Sequence, residues 1–150
     1  MIRFTESAGQ PAAPELRKIE EFYASIFEKI DSEKFTKRMT ESENLLTILA
    51  FHEDRIVGFK IGYRIAPTTF YSWIGGVDEK FRQNGIAAEL MKRQHDWCAR
   101  NGFEKVRTKT QNRFKAMLIL NIKNGFEIIG VYRNARNESR IVLEKTLREN

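Results

Sequence analysis

Apolar residues early in the chain recur with helical spacing: Leu16, Ile19, Phe22, Tyr23, Ile26, Phe27 and Ile30 share one face. Pro14 suits a first helical turn, so a helix is expected from there to about Ile30. A second short helix is expected over about Ser32 to Glu41, with Asp31 or Ser32 as its cap. Elsewhere the period is that of strands. "MIRFTE" alternates enough for a short opening strand, and "LLTILAFH" and "RIVGFKIGYRI" are β-rich runs joined by a tight Glu53-Asp54 turn, hence a hairpin. Pro67 breaks the chain before a third β run, "TTFYSWIGGV". Helical spacing then returns from Gly85 to about Asn101, at Ile86, Leu90 and Trp97 and at Ala87, Met91 and Cys98, with Asn101-Gly102 as the stop. "EKVRTKTQ" reads as a strand, "RFKAMLILNIKNG" as a helix again closed by Asn-Gly, and "FEIIGVY" and "SRIVLEKTL" as a closing hairpin over a polar loop.

This order contains no repeat, low-complexity tract or linker. It predicts one α+β domain over residues 1–150, an α/β sandwich with a mixed, mostly antiparallel sheet of six to seven strands and about four flanking helices. The unit from Thr69 to Gln111 should be a right-handed crossover that makes its two strands parallel.

Composition narrows the classes. The hydrophobic share of 41% and charged share of 31% describe an ordinary globular chain. No apolar run approaches the roughly 20 residues of a membrane span, and "MIRFTESAGQ" lacks the apolar block of a secretory signal, so no membrane partner and a cytoplasmic location are expected. A single cysteine and two histidines give neither an intrachain disulfide nor a metal cluster. Cys98 lies on the apolar side of its helix and reads as a buried structural thiol. The net charge of +6 is uneven: residues 1–77 carry 10 basic and 11 acidic groups, residues 78–150 carry 16 and 9. That bias suits an anionic partner (nucleic acid, membrane or a phosphorylated cofactor) and equally a solvated surface.

The stretch "GGVDEKFRQNGIAAEL" changes the picture. A β run ends in Gly75-Gly76-Val77, and Arg82-Gln83-Asn84 leads through Gly85 straight into a helix. The first amides of a helix lack partners and sit at the positive end of its dipole, a ready anion site. Gly85 would admit a phosphate closely and Ala87 would not obstruct it. Neither the P-loop pattern nor the three-glycine dinucleotide fingerprint is present. A plain loop-to-helix turn is the alternative on these residues alone.

In context the chain resembles the GNAT superfamily of acetyl-CoA-dependent N-acetyltransferases. Arg82, Gly85 and Ala87 match its Gln/Arg-x-x-Gly-x-Gly/Ala signature, supported by Val77 before it, Asn112 after the next strand and Gly125-Phe126. The resemblance implies acetyl-CoA as co-substrate, without metal, and a small-molecule or peptide amine as acceptor. It implies that the amides of Gln83, Asn84, Gly85, Ile86, Ala87 and Ala88 cradle the pyrophosphate, that Gly76 and Val77 pair with the pantetheine arm, and that Asn112 touches it. It also implies a bulge near Gly75-Gly76 that turns an amide at Val77 toward the thioester oxygen. Lys115, with Lys109 and Arg113, stands near the ADP phosphates or in solvent.

The pattern fails in one place. Many members carry a tyrosine four residues before Gly-Phe, where this chain has Asn121. An amide can hydrogen-bond a sulfur but cannot protonate it, so Asn121 is expected as a cofactor contact, with Tyr132 or Tyr71 as other sources of the proton. The general base is open too. Glu41 and Glu43 could line the acceptor side or a solvated loop. His52 and His95 read as solvated, and Gln94 as a buried amide satisfying backbone. Tyr63, Tyr71 and Trp73 are candidates for an acceptor pocket or for core beneath the first helices. The expected activity is direct acetyl transfer to a primary amine. The competing class is a non-catalytic acyl-CoA sensor. A nucleic-acid partner is not expected, for want of a reading motif; a homodimer is left open.

Overall fold

The computed structural model describes residues 1–147. It contains seven strands, β1 (Ile2–Ala8), β2 (Leu46–His52), β3 (Arg55–Ala66), β4 (Thr69–Val77), β5 (Lys105–Thr110), β6 (Glu127–Arg133) and β7 (Ser139–Thr146), with four helices, α1 (Ala13–Ile26), α2 (Ser32–Glu41), α3 (Ile86–Arg100) and α4 (Lys115–Lys123). The strands form one sheet in the order β1-β2-β3-β4-β5-β7-β6. β4 and β5 are its parallel pair, and the others are antiparallel. The α+β class, mixed sheet and four helices agree with the pattern read from the sequence.

Alternation along the strands buries both faces, because a helical layer covers each. On one face Leu46, Ile48, Val57, Phe70 and Val77 pack with Ile86, Leu90, Met91 and Cys98 of α3. On the other, Leu49, Phe59 and Ile61 pack with Ile19 and Phe22 of α1 and Phe35 and Met39 of α2. A fully buried ring such as Phe70 contributes roughly 1.5–3 kcal/mol of transfer free energy. Phe70 is wedged so closely that a Cβ on Gly62 would lie 2.3 Å from its ring and 2.5 Å from the Tyr71 carbonyl oxygen.

Local signals set most boundaries. α2 starts where the Asp31 carboxylate accepts the Lys34 amide at 3.0 Å. β2 turns into β3 through Glu53, whose φ of 57° is left-handed. α1 ends at Ile26, short of the expected Ile30: Phe27 takes an extended φ of −118°, which leaves its ring edge-on to Tyr23 at 5.2 Å between centroids. A short 3₁₀ turn over Glu79–Phe81, capped by Asp78, was not foreseen. No helix among the described residues is long and apolar enough to cross a membrane.

Candidate functional site

β4 is hydrogen-bonded to β3 from Thr69 to Val77, but to β5 only over Thr69 to Ser72, opposite Lys105 to Thr108. Beyond that point β5 continues along β7 as far as Thr110, so β4 and β5 part. The cause lies in β4 itself. Its pairing jumps from Ile61↔Ile74 to Gly62↔Ser72, leaving Trp73 as an extra residue, and such a bulge bends its strand and sharpens its twist. The expected position at Gly75-Gly76 is therefore corrected: the bulge lies at Trp73, before the glycines. Gly76 has another task, since a Cβ there would come 2.5 Å from Ile26 Cδ1, so α1 closes directly over it.

The Asp78 amide bonds the Val57 carbonyl at 2.8 Å. Alternation along an antiparallel pair then turns the amides and carbonyls of Val77 and Gly75 away from β3, onto the open edge. Arg82 is exposed, and its Nε donates to the Val77 carbonyl at 3.2 Å, tying the loop to the strand end. Asn84 likewise closes the turn on itself through the Phe81 and Arg82 carbonyls. Gln83 and Gly85 both have left-handed φ, 67° and 76°. Gly85 caps α3 without any side-chain acceptor, and the first intrahelical bond is Glu89 N–H to Gly85 O at 3.0 Å. The amides of Ile86, Ala87 and Ala88 are thus left at the helix start. The Ile86 side chain is buried in the core while Ala88 is exposed.

Because β4 and β5 are parallel, their C-terminal ends share one end of the sheet. The turn after β5 lies there too. Asn112 is exposed and its carbonyl accepts Lys115 Nζ at 2.9 Å, while Arg113 bonds Gln111.

The two flanks of the gap differ. On the α3 side stands Lys60, opposite Gly75, with Nζ 3.6 Å from where a Cβ on that glycine would sit. Burial pushes its pKa down to about 8. His95 is buried, not solvated as expected from its place on the helix flank, because β7 and the segment after α4 cover it. Its Nδ1 lies 3.3 Å from Lys145 Nζ and its ring 5.5 Å from Phe126. Burial, with Lys145 and Lys60 adding to it, pushes its pKa down to about 3. Lys145 can only donate, so Nδ1 accepts and the proton is on Nε2, which has no acceptor among the described residues. Gln94 is fully buried as expected, yet among the described residues neither end of its amide meets a partner, so the expected bond to backbone is not made. Asn121 is buried on this side. Cys98 is fully buried and its thiol is pushed up to about 12, an inert core group.

On the α1–α2 side lie Tyr63, Tyr71 and Trp73, with Tyr63 T-shaped to Tyr71 at 5.6 Å and to Trp73 at 6.0 Å between centroids. Burial pushes the Tyr71 phenol up to about 12. Lys109 sits over Tyr71 at 5.8 Å and Tyr132 at 5.2 Å, and Tyr132 is 41% exposed. Asn121 and Tyr132 consequently flank opposite faces of the sheet. Glu43 is taken up by Arg64 at 2.6 Å, Glu41 is exposed, and His52 is half exposed beside the β2–β3 turn. Among the described residues no metal-binding group of acidic, histidine and cysteine side chains occurs.

Sequence reasoning missed Lys60, Arg38 and Arg140 as residues beside the gap. For Lys60 a signal exists: it shares the inward face of a central strand with Gly58 and Gly62, where a charge is out of place. Arg38 and Arg140 carry no such mark.

Residues 16–120 match the model of the Acetyltransferase (GNAT) family. Comparison with curated protein sequences finds no match. Among solved structures, the ribosomal-protein-S18-alanine N-acetyltransferase from Escherichia coli superposes with a TM-score of 0.80 at 14% identity, over 99% of this chain and 96% of that one. An aminoglycoside 6'-N-acetyltransferase complexed with coenzyme A gives 0.78 at 17% identity, covering 97% and 98%. NAA60 from Arabidopsis thaliana, in complex with a bisubstrate analogue, gives 0.76 at 15%, covering 97% and 99%. At these identities the likeness is one of fold.

Proposed function

The chain belongs to the GNAT acetyltransferase family, and from that membership we propose that it moves an acetyl group from acetyl-CoA to a primary amine by direct attack on the thioester. The observation that carries this reading is the edge of β4 from Trp73 to Val77, which pairs with no strand on that side among the described residues and runs into the glycine-capped start of α3 at the same end of the sheet. An extended amide-bearing arm fits that edge as an added strand. A pyrophosphate at its end fits the amides from Gln83 to Ala88, where backbone donors and the helix dipole favour negative charge. Asn112 and Lys115, at the end of β5, border the same space. The family co-substrate therefore fits the residues present.

The roles of the chain's own groups follow. The Val77 and Gly75 amides face the open edge and are the donors available to the oxygen that gains charge as the amine attacks; a donor of this kind is worth about 2.7–4 kcal/mol. In the reaction a nitrogen–carbon bond forms, the carbon–sulfur bond breaks with its electron pair leaving on sulfur as the thiolate, and the amine's proton passes to solvent. Asn121 meets the departing sulfur from the α3–α4 side without supplying a proton. Lys60, beside Gly75 on that same flank, places a cation near the leaving thiolate. A thiol of ordinary pKa, about 8.5, leaves tolerably as its anion, so a dedicated acid is not required. Tyr132 belongs on the other flank, with Tyr63, Tyr71 and Trp73, where the acceptor enters. Cys98 is buried away from this chemistry, and no covalent enzyme intermediate is involved.

The test pairs calorimetry of acetyl-CoA with thiol release across a panel of amines. Binding with release for at least one class of amine is the expected result. Tight binding with no release above background for any amine would establish the competing reading, an acyl-CoA sensor. No binding at all would remove the cradle.

A further inference from the structure

Three cations converge on the α1–α2 side of the gap, with no ion-pair partner among the described residues. Lys109 follows the last residue of β5 paired to β4 and lies over the Tyr71 and Tyr132 rings. Arg38 of α2 lies over Tyr63 and Trp73, each 5.6 Å from its guanidinium carbon, and donates to the Tyr63 hydroxyl. Arg140 pairs across β7 and β6 with Tyr132, and its Nε is enclosed with no hydrogen-bond acceptor among the described residues. The charges of Arg38 and Arg140 both act on the Tyr71 phenol, as do the neighbouring Tyr63 and Tyr132, so these groups form one cluster where β4 and β5 part.

None of the three cations makes an ion pair among the described residues, although nearby carboxylates exist. Glu144, on the same face of β7, is engaged by Arg107 at 2.8 Å and Lys105 at 3.6 Å. Glu43 is engaged by Arg64. A guanidinium without a carboxylate partner favours an incoming oxyanion, which would meet its outer nitrogens rather than the enclosed Nε. Aromatic faces beside Arg38 and Lys109 offset part of the mutual repulsion of the cations. A polycationic amine would meet like charge here instead, a built-in discrimination against it.

We propose that the acceptor amine carries an oxyanion of its own, a carboxylate or a phosphate, seated among Arg38, Lys109 and Arg140 with its amino group directed into the gap. This names the substrate class of the acetyl-transfer site and rests on that reading. The guanidinium fork of Arg140 holds the oxyanion, Lys109 adds a point charge at the mouth, and the Tyr71 and Trp73 rings pack against the body of the molecule. A free amino acid or a short amine phosphate fits; an aminoglycoside or polyamine does not.

Matched pairs test this: glycine against glycinamide, phenylalanine against phenylalaninamide, O-phosphoethanolamine against ethanolamine, with spermidine as the cationic extreme. Thiol release is followed with acetyl-CoA saturating. The wild-type protein should prefer the anionic member by at least about tenfold in kcat/KM, a difference of about 1.4 kcal/mol; the amino-acid and phosphate arms identify which oxyanion is used. Arg140→Gln should collapse that preference. Lys109→Gln, at an exposed position that a fold tolerates, should reduce it even if the first variant fails to fold. Equal or better use of glycinamide, ethanolamine or spermidine by the wild type overturns the proposal, and so does a preference unchanged in both variants. If no amine releases thiol, acetyl transfer itself fails, and calorimetry of the same pairs against acetyl-CoA-saturated protein still decides. Binding of the anionic members alone, lost in Lys109→Gln, upholds the oxyanion site; equal or absent binding refutes it.

Discussion

Substituting Gly85 separates backbone strain from cofactor contact, because its φ of 76° is left-handed. A helical φ there would have made Gly85→Ala nearly neutral for stability. With the observed φ, an L-residue carries a penalty of roughly 1–2 kcal/mol. For a chain of this size that is a fall in melting temperature of about 2–8 °C. Beyond its two chain neighbours, no atom of the described residues lies within 4 Å of the added Cβ, so the loss is conformational rather than steric. Asn tolerates the left-handed region better than Ala, and Gly85→Asn should therefore recover part of the loss. Both variants, however, place a Cβ and its substituents at the start of α3, where the pyrophosphate is proposed to approach bare backbone. Both should raise the Kd of acetyl-CoA at least about tenfold, close to 1.4 kcal/mol. Thermal melting without ligand and calorimetry with acetyl-CoA on the same samples give both quantities. Stability should rank glycine, asparagine, alanine, while affinity should drop for the two variants alike. Wild-type affinity in either folded variant would refute the cradle, and an alanine variant as stable as wild type would refute the strain.

Other outcomes follow from the buried groups. Lys60 has a folded pKa of about 8 against 10.5 when free, so between those values the unfolded chain holds more protons and stability should rise with pH. Lys60→Met should flatten that rise in melting temperature from pH 8 to 10; an unchanged slope would show the lysine to be solvated. His95 stays neutral when folded down to about pH 3, whereas the free imidazole titrates near 6.5, so stability should fall as pH drops below about 6.5. His95→Gln should lose much of that acid sensitivity in a melting series from pH 7 to 4. Cys98→Ala should cost about 1–3 kcal/mol in denaturant unfolding, for a vacated core site, and keep its turnover. A folded but inactive Cys98→Ala protein would overturn direct attack.

The sequence by itself determined the elements and their order, because each rests on interactions within a few residues. Asp31 marks the start of α2 through its own side chain, and Glu53-Asp54 marks the β2–β3 turn. The spacing of Ile86, Leu90, Met91 and Cys98 gives α3 its buried stripe. The arrangement Arg82-x-x-Gly85-x-Ala87 was legible for the same reason, since a loop entering a helix is local geometry. Only the tertiary structure decided the rest. The bulge falls at Trp73 because strand register is settled between β3 and β4, so the sequence of β4 alone misplaced it. His95 reads as a surface residue along its own helix, and becomes buried when Lys145 and Phe126 arrive from a later part of the chain. Arg38, Lys109 and Arg140 lie on a helix and two strands far apart in sequence; Arg38 and Arg140 carry no mark of a site along the chain, and Lys109 reads as a solvated charge or a neighbour of the ADP phosphates. Their convergence exists only once β7 has inserted between β5 and β6 and α2 has closed over β4, since long-range packing, not spacing along the chain, sets which side chains face each other across a gap.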